Sequence, residues 1–144
     1  MPAAFPVPDL RAFLAGKWRL SRRMDDRRLG ATGRLDGTAV FTPVPDGLAY
    51  AESGLMRFGP YRGMATQSYR FELVGPAQAL VRFADGRAFH RLDLGTGIAA
   101  VTHDCAPDRY RGRYRVVSPS RWVLHWLVEG PRKDLRITSL YLRD

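Results

Sequence analysis

Cysteine, lysine and long apolar runs are scarce in this chain. The scarcity of cysteine and of long apolar runs each excludes a class of protein. The 144 residues include one cysteine, which excludes an internal disulfide framework and predicts a reducing compartment. No apolar run approaches the roughly 18–20 residues that span a bilayer. The first residues also lack the basic and apolar regions of a secretory signal. We therefore expect a cytoplasmic protein with no membrane partner.

The positive charge comes almost entirely from arginine, since only Lys17 and Lys133 among 23 basic residues are lysines, and the formal net charge is +9. Basic domains often bind nucleic acid by releasing counterions from phosphates, but no zinc-finger spacing, RNP motif or basic helix is present. The arginines of the segment Arg109–Arg115 alternate and so share one strand face. That face is interpreted as a solvated outer surface, and nucleic-acid binding through it is an alternative hypothesis.

A short helix is predicted near the start of the chain. The first eight residues contain three of the ten prolines and are expected to form a loose arm. Asp9 then precedes the apolar set Leu10, Phe13 and Leu14, spaced i, i+3, i+4, and Gly16 follows. This pattern predicts a helix over residues 9–15, with an aspartate at its start and a glycine at its end.

The remainder of the chain is predicted to consist of about ten strands. Alternating segments are separated by turn signals such as Asp85-Gly86. The segments begin near Trp18 and continue over 34–43, 48–58, 64–74, 78–84, 87–93, 98–105, 108–117, 121–129 and 133–143. Without long crossover helices the sheet must be antiparallel, stacked as a sandwich or closed as a barrel. We predict an all-β single domain over residues 1–144, an up-and-down barrel, because closure removes exposed strand edges.

The motif Gly16-Lys17-Trp18 resembles the Gly-x-Trp signature of the lipocalin or calycin superfamily. The resemblance implies a barrel whose tryptophan closes one end, with an arginine from near the C-terminus, Arg136 or Arg143, packed across it. Residues 83–90, 103–110 and 122–134 also look like an uncharacterised bacterial family of unknown function. That second resemblance implies the same calycin-like barrel and supplies no activity.

A glutamate on a bulky strand face is the first candidate for function. Glu52 follows Tyr50 on a face shared with Leu48 and Met56. A carboxylate that points into a barrel needs a partner, or its charged form is disfavoured. The expected partners are arginines and tyrosines of other strands: Arg70, Arg82, Tyr69, Tyr110 and Tyr114. Such a set suits a small aromatic acid, with arginine for the carboxylate and tyrosines for the ring.

Histidines supply the second group of candidates. His90, His103 and His125 each share a strand face with apolar neighbours, as buried, hydrogen-bonded side chains do. The alternative is a general base, or a haem ligand as in the nitrobindin-like barrels. No Cys-x-x-Cys or His-Glu-x-x-His spacing occurs, so we expect no metal site and no cofactor.

Two further features lie near the C-terminus. Trp126 belongs to an alternating apolar face with Trp122, which in a barrel can be core and ligand wall at once. Lys133 lies in the turn over 130–134, interpreted either as a solvated hairpin or as an anion clamp at the barrel mouth.

The sequence thus favours binding of a small apolar or aromatic ligand with an acidic group inside the barrel. The expected ligand-binding residues are Tyr50, Glu52, Tyr69, Arg82, His90, His103, Tyr110, Tyr114, Trp126 and Lys133. The principal alternative is a cofactor-free enzyme that acts on such a ligand, with Glu52, His90 or His103 as acid or base. A homodimer and a monomer are both left open, and one β-bulge would reverse every inward assignment after it.

Overall fold

The computed structural model describes residues 3–144, which form one short helix and ten strands. The helix α1 covers Leu10–Leu14. The strands are β1 (Gly16–Asp26), β2 (Ala31–Val44), β3 (Gly47–Phe58), β4 (Tyr61–Leu73), β5 (Gln78–Phe83), β6 (Ala88–Asp93), β7 (Ile98–Cys105), β8 (Asp108–Ser118), β9 (Arg121–Gly130) and β10 (Lys133–Leu142).

All of these strands belong to one antiparallel sheet with the order β6-β5-β4-β3-β2-β1-β10-β9-β8-β7. Strands that are neighbours in sequence pair with each other, except β6 and β7, and β1 pairs with β10 to join the two ends of the chain. The outer members of this order, β6 and β7, approach each other and bring the sheet to a nearly closed barrel. The predicted all-β antiparallel barrel with a short helix is therefore confirmed.

One end of the barrel is plugged by α1 and the signature tryptophan. Asp9 Oδ1 accepts a hydrogen bond from the backbone N–H of Ala12 at 3.0 Å, which caps the helix as predicted. Trp18 is fully buried, and its Nε1 donates to the Leu14 carbonyl oxygen at 2.9 Å. The guanidinium of Arg143 lies 4.1 Å from the centroid of the Trp18 ring. This geometry assigns the arginine implied by the resemblance to Arg143.

The N-terminal arm differs from the loose segment predicted for residues 1–8. Its first two residues lie outside the described part of the chain, but residues 3–8 follow the barrel wall. The backbone N–H of Phe5 donates to Val116 and that of Val7 to Leu94. Val7 is buried in the core beside α1. Two prolines of the arm, Pro6 and Pro8, have a fixed φ, which lowers the entropy lost when this segment docks on the barrel.

The opposite end of the barrel is open. It carries the turns between β1 and β2, β3 and β4, β5 and β6, β7 and β8, and β9 and β10. The wall has a notch on one side, because β5 pairs with β4 only from Tyr69 to Leu73. Within the described chain, residues 61–68 of β4 pair with β3 alone. The interior is therefore accessible above the short β5–β6 hairpin.

Two β-bulges interrupt the regular alternation. The ladder between β5 and β6 pairs Val81 with His90 and Arg82 with Ala88, so Phe89 is an extra residue. Because of this bulge, Phe89 and His90 both face the barrel interior. A second bulge after Val116 leaves Val117 as the extra residue, on the outside.

No helix among residues 3–144 is both long enough and apolar enough to cross a membrane.

Candidate functional site

The barrel interior contains a cavity of about 280 Å³ with a largely aromatic wall. The aromatic residues of the wall are Tyr50, Tyr69, Phe71, Phe89, Tyr110, Tyr114, Trp122, Trp126 and Tyr141. Aliphatic and thioether side chains fill the spaces between them, among them Met24, Met56 and Ile137. Two groups of polar residues interrupt this surface.

The first polar group is built around the ion pair of Arg22 and Glu52. The guanidinium donates two hydrogen bonds to the carboxylate, Nη1 to Oε2 at 2.6 Å and Nη2 to Oε1 at 2.9 Å. Arg22 Nε also donates to Ser139 Oγ at 2.8 Å. Tyr50 donates to Glu52 Oε1 at 2.6 Å, and the Tyr141 hydroxyl lies 2.9 Å from that of Tyr50. Both oxygens of the buried carboxylate are thus hydrogen-bonded.

Burial and charge together fix the protonation of this group. Burial alone lowers the pKa of Arg22, but the hydrogen bond to Glu52 and the surrounding oxygens raise it above its ordinary value. Burial raises the pKa of Tyr50 far above its usual range, and the neighbouring Tyr141 and Glu52 raise it further. Burial likewise raises the pKa of Tyr69 to about 12. The tyrosine hydroxyls of this group are therefore neutral phenols at neutral pH, and they surround the ion pair of Arg22 and Glu52.

The second polar group is a histidine–tyrosine pair on the other side of the cavity. His90 Nδ1 lies 3.1 Å from the carbonyl oxygen of Arg91, to which only a protonated nitrogen can donate. His90 Nε2 lies 3.1 Å from the Tyr114 hydroxyl, which therefore donates to it. Burial lowers the pKa of His90 to about 4, so the imidazole is neutral at pH 7.

An aromatic cluster lines the approach to the cavity from the open end. Phe89 stacks on Phe83 at 4.5 Å and on Trp126 at 5.2 Å between ring centroids. His103 makes edge contacts with both phenylalanines, at 5.4 and 5.2 Å. Tyr110 lies against His103 at 5.8 Å. A flat molecule entering the cavity would therefore pass between aromatic faces.

Seven of the ten residues predicted to bind ligand lie on the cavity wall: Tyr50, Glu52, Tyr69, His90, Tyr110, Tyr114 and Trp126. His103 is half-buried in the aromatic cluster at the opening. The other two do not line the cavity: Arg82 lies outside the barrel, and Lys133 lies at the barrel mouth, where its turn was expected.

Arg82 lies on the outside of the barrel because Val81 and Phe83 occupy the inward positions of β5. Its Nε is 3.5 Å from Glu72 Oε1, and its Nη1 donates to the carbonyl oxygen of Gly86. Arg70, the other expected partner of Glu52, pairs with Asp46 at 2.8 Å. Neither arginine therefore contacts the buried glutamate.

Lys133 lies at the open end, where its ammonium group forms an ion pair with the carboxylate of Asp108. The Nζ–Oδ2 distance is 3.1 Å, and this hydrogen bond raises the pKa of Lys133. Its Nζ lies 6.0 Å from the centroid of the Tyr110 ring. The turn therefore presents a neutralised lysine rather than a free anion clamp.

The sequence interpretation missed the partners Arg22, Ser139 and Tyr141 and the inward Phe89. The sequence does contain one indication that Arg22 points inward. It lies two residues after Leu20 and four after Trp18, so all three share one face of β1. Ser139 and Tyr141 are likewise two residues apart and share one face of β10. Their proximity to Glu52 depends on pairing between the first and last strands, which no local pattern specifies. The inward position of Phe89 depends on the bulge.

The other sequence candidates lie on the outer surface. Arg109 and Arg111 are exposed and form ion pairs with Asp104 and Glu129. His125 is also exposed, and its Nδ1 lies 3.0 Å from Thr138 Oγ1. Among residues 3–144, no cluster of three or more histidine, cysteine or acidic side chains has the arrangement of a metal site.

Comparison with known proteins gives a family and a fold. The model of a family of unknown function, DUF6314, matches residues 14–143. No curated protein matches the chain. The S-type phycobiliprotein lyase CPES from Guillardia theta has a similar structure, with a TM-score of 0.68 at 9% identity, over 97% of this chain and 93% of that one.

Two designed proteins also match. The redesigned barrel mFAP1, bound to DFHBI, aligns with a TM-score of 0.45 at 14% identity, over 92% of this chain and 97% of that one. A fluorescence-activating beta barrel designed de novo aligns with a TM-score of 0.46 at 15% identity, over 94% of this chain and 98% of that one.

Proposed function

The chain belongs to DUF6314, a family whose description names no activity, and we therefore propose a function from the cavity itself: the barrel binds a small, planar, uncharged aromatic ligand. The observation that carries the proposal is an aromatic-walled cavity whose own charges cancel. Its volume, about 280 Å³, is near the lower end of the range of roughly 300–1,000 Å³ typical of ligand sites. A ligand of one or two rings suits this volume.

The absence of net charge in the wall selects against an acidic ligand. The Arg22 guanidinium is bound on both sides, by Glu52 and by Ser139. A ligand carboxylate inside the cavity would compete with Glu52 for the same donors and would bring a second buried negative charge beside it. The proposal therefore differs from the acidic ligand expected from the sequence, for which Arg82 and Lys133 were to provide the positive charge.

One buried donor supports a ligand that carries an acceptor oxygen. Among the described residues, Trp122 Nε1 is the buried side-chain nitrogen without a hydrogen-bond partner. Trp122 lines the cavity and stacks on Tyr141 at 3.8 Å. Because an unpaired buried N–H costs free energy, a ligand ether, hydroxyl or carbonyl oxygen within its reach would gain affinity.

A fluorescence titration with a matched pair of probes tests the proposal. Naphthalene-2-methanol and 2-naphthoate have the same ring system, and at pH 7 only the second is charged. Tryptophan emission of the protein, to which Trp122 and Trp126 of the cavity wall contribute, is followed during each titration. We expect the alcohol to bind at least tenfold more tightly than the carboxylate.

A variant that fills the cavity provides the control. Ser139 lines the cavity, and Ser139→Leu places a bulky group there. The variant Thr66→Leu carries the same group on an exposed position of β4. We expect the alcohol to lose binding to Ser139→Leu alone. Equal binding of the two probes, or unchanged binding to folded Ser139→Leu, would show that the proposed site is wrong.

A second candidate function is acid–base catalysis on the same kind of ligand. It is supported by the neutral imidazole of His90, which accepts a hydrogen bond from Tyr114 at the cavity wall. In such an enzyme the Tyr114 oxygen would take a proton from the ligand while its own hydroxyl proton passes to His90 Nε2, so that no tyrosinate forms. Tyr114→Phe separates the two functions, since a binding protein keeps its affinity for the alcohol and an enzyme loses turnover of its substrate.

Haem binding, another alternative considered for the histidines, does not fit His90. Both ring nitrogens of this histidine are hydrogen-bonded, one to Arg91 and the other to Tyr114. An iron ligand needs a free nitrogen lone pair.

A further inference from the structure

Four arginines stand side by side on the outer surface near the open end. Backbone register places Arg23 opposite Arg34, Arg34 opposite Arg57, and Arg57 opposite Arg62, across β1 to β4. All four side chains are exposed. Since neighbouring strands lie about 4.8 Å apart, the row extends over roughly 14 Å. Like charges directly opposite each other destabilise a sheet, so the row needs an explanation beyond folding.

Acidic side chains do not neutralise this row. Among residues 3–144, no carboxylate lies within ion-pair distance of Arg23, Arg57 or Arg62. Arg34 reaches only the exposed Asp36, at 3.8 Å. Other exposed arginines of the barrel, such as those that pair with Asp46 and Glu129, do have acidic partners. Three of the four positive charges in this row therefore have no carboxylate partner among the described residues.

Apolar side chains project from the same two hairpins. Leu29, in the turn between β1 and β2, has 72% of its surface exposed, which is more than any other large apolar side chain of residues 3–144. Tyr61, at the start of β4, is 52% exposed at the rim of the open end, on the strand face opposite to that of Arg62. Met64, two residues beyond Arg62 on the outer face of β4, is also exposed. Three exposed apolar side chains, Leu29, Tyr61 and Met64, thus lie close to the arginine row at the open end of the barrel.

We propose that this docking face, composed of Arg23, Leu29, Arg34, Arg57, Tyr61 and Arg62, binds the surface of an anionic lipid bilayer. Leu29 and Tyr61 enter the headgroup region, where apolar and amphipathic side chains are stabilised. The arginines contact the lipid phosphates at one level, since they occupy one row across the strands. Such docking requires no spanning segment, but it departs from the expectation, drawn from the sequence, of no membrane partner.

The composition of the docking face favours lipid over nucleic acid. Surfaces that bind single-stranded nucleic acid combine basic residues with several aromatic platforms on which bases stack. Here Tyr61 is the single aromatic member, and the most exposed apolar side chains are the aliphatic Leu29 and the thioether Met64. The cavity opening lies at the same end of the barrel, so an apolar ligand could pass between bilayer and cavity.

Vesicle co-sedimentation tests this proposal with the full chain. One set of vesicles contains phosphatidylcholine alone, and the other contains phosphatidylcholine with phosphatidylglycerol. We expect the protein to bind the anionic vesicles at least tenfold more tightly, and the difference to shrink as salt is added. The experiment does not involve the cavity, so its result is independent of the proposed ligand.

Two variants of the docking face identify the residues responsible. Each arginine near an anionic surface contributes about fivefold in affinity, so R23Q/R57Q/R62Q is expected to bind on the order of 100-fold more weakly. L29A removes an apolar anchor and is expected to lose about tenfold, with little dependence on salt. All four side chains are exposed, and unchanged thermal unfolding will show that the variants remain folded.

Matched variants away from the docking face are the controls. R19Q/R91Q/R121Q removes the same charge from other exposed positions, and V74A/I98A removes exposed apolar groups at the closed end. Both are expected to bind vesicles within about twofold of the unsubstituted protein. Equal loss in these controls would overturn the proposal, as would absence of vesicle binding. Binding of a single-stranded oligonucleotide in preference to anionic vesicles would assign the face to nucleic acid and overturn it too.

Discussion

At the scale of single residues, the barrel interior is organised by one buried ion pair. Arg22 and Glu52 reach each other from β1 and β3. Arg22 also donates to the Ser139 hydroxyl on β10, and Glu52 accepts from the Tyr50 hydroxyl on β3 itself. Burying two charges costs solvation free energy, which is offset only when both partners are present and well hydrogen-bonded. The pair therefore makes the interior polar at one place without giving it net charge.

Removal of Arg22 tests this interpretation. We expect Arg22→Met to lower the free energy of unfolding by about 3–5 kcal/mol, since Glu52 remains buried without its cation. The double variant Arg22→Met/Glu52→Gln should lose less, because the uncompensated charge is gone. Urea denaturation measures both. Arg70→Gln breaks an exposed pair with Asp46 and should change stability by about 1 kcal/mol or less.

A similar loss for Arg22→Met and Arg70→Gln would contradict the account. It would mean that the Arg22–Glu52 pair is solvated in the folded protein and does not shape the cavity.

His90 makes stability depend on pH. Its pKa is about 4 in the folded protein and 6.5 in an exposed histidine, so between these values only the unfolded chain takes up a proton. Stability is therefore fully present above pH 6.5 and decreases as the pH falls towards 4. The difference between the two pKa values is worth about 3 kcal/mol.

Urea midpoints at pH 7 and pH 5 measure this dependence. We expect the unsubstituted protein to lose stability between these values, and His90→Gln to lose less over the same interval. His125→Gln is the matched control, since His125 is exposed and hydrogen-bonds Thr138 at the surface. The same pH dependence in protein with and without His90 would assign the effect to another group.

At the scale of the elements, strand alternation predicted most of the architecture. The turn signals located the ten strands, and the Gly-x-Trp motif placed Trp18 at the plugged end. The choice between Arg136 and Arg143 could not be made from sequence, because it depends on the register between β10 and β1. Arg136 opposes Asp25 in that register and is exposed, whereas Arg143 extends past the strand end to Trp18.

The candidate site could be predicted only where alternation is unbroken. Glu52 and Tyr50 face inward as the pattern of β3 indicates, and so does Tyr114 on β8. Phe89 could not be predicted, because an extra residue in β6 changes the phase between Ala88 and His90. Arg22 could not be matched to Glu52, because the pattern of one strand does not specify which side chain lies across the barrel.

The bulge in β6 gives a prediction about binding. Phe89→Ala removes a ring that stacks on Phe83 and Trp126, and we expect the affinity for naphthalene-2-methanol to fall on the order of tenfold. Val117→Ala alters the extra residue of the other bulge, which is on the outside, and should leave the affinity unchanged. If the two substitutions change the affinity equally in the fluorescence titration, the ligand does not contact the ring of Phe89 when it binds.

At the scale of the whole molecule, the barrel has two different ends. The helix, Trp18 and Arg143 plug one end with apolar and stacking contacts. The other end carries the cavity opening, the aromatic cluster and the docking face. The open end, near which Leu29 and Tyr61 are exposed, is therefore the route by which we expect a ligand to enter. The cytoplasmic location expected from the sequence stays a prediction, and the choice between monomer and homodimer stays open.

The central claim is that a small uncharged aromatic molecule occupies the interior, and the three tryptophan indole N–H groups test it most directly. Trp122 and Trp126 line the cavity, whereas Trp18 lies beneath it with its N–H bonded to Leu14. In a ¹H–¹⁵N NMR titration with naphthalene-2-methanol, we predict saturable shifts of the Trp122 and Trp126 indole signals and an unshifted Trp18 signal. Shifts of equal size at all three indoles, or no saturable shift at Trp122 and Trp126, would contradict binding inside the barrel.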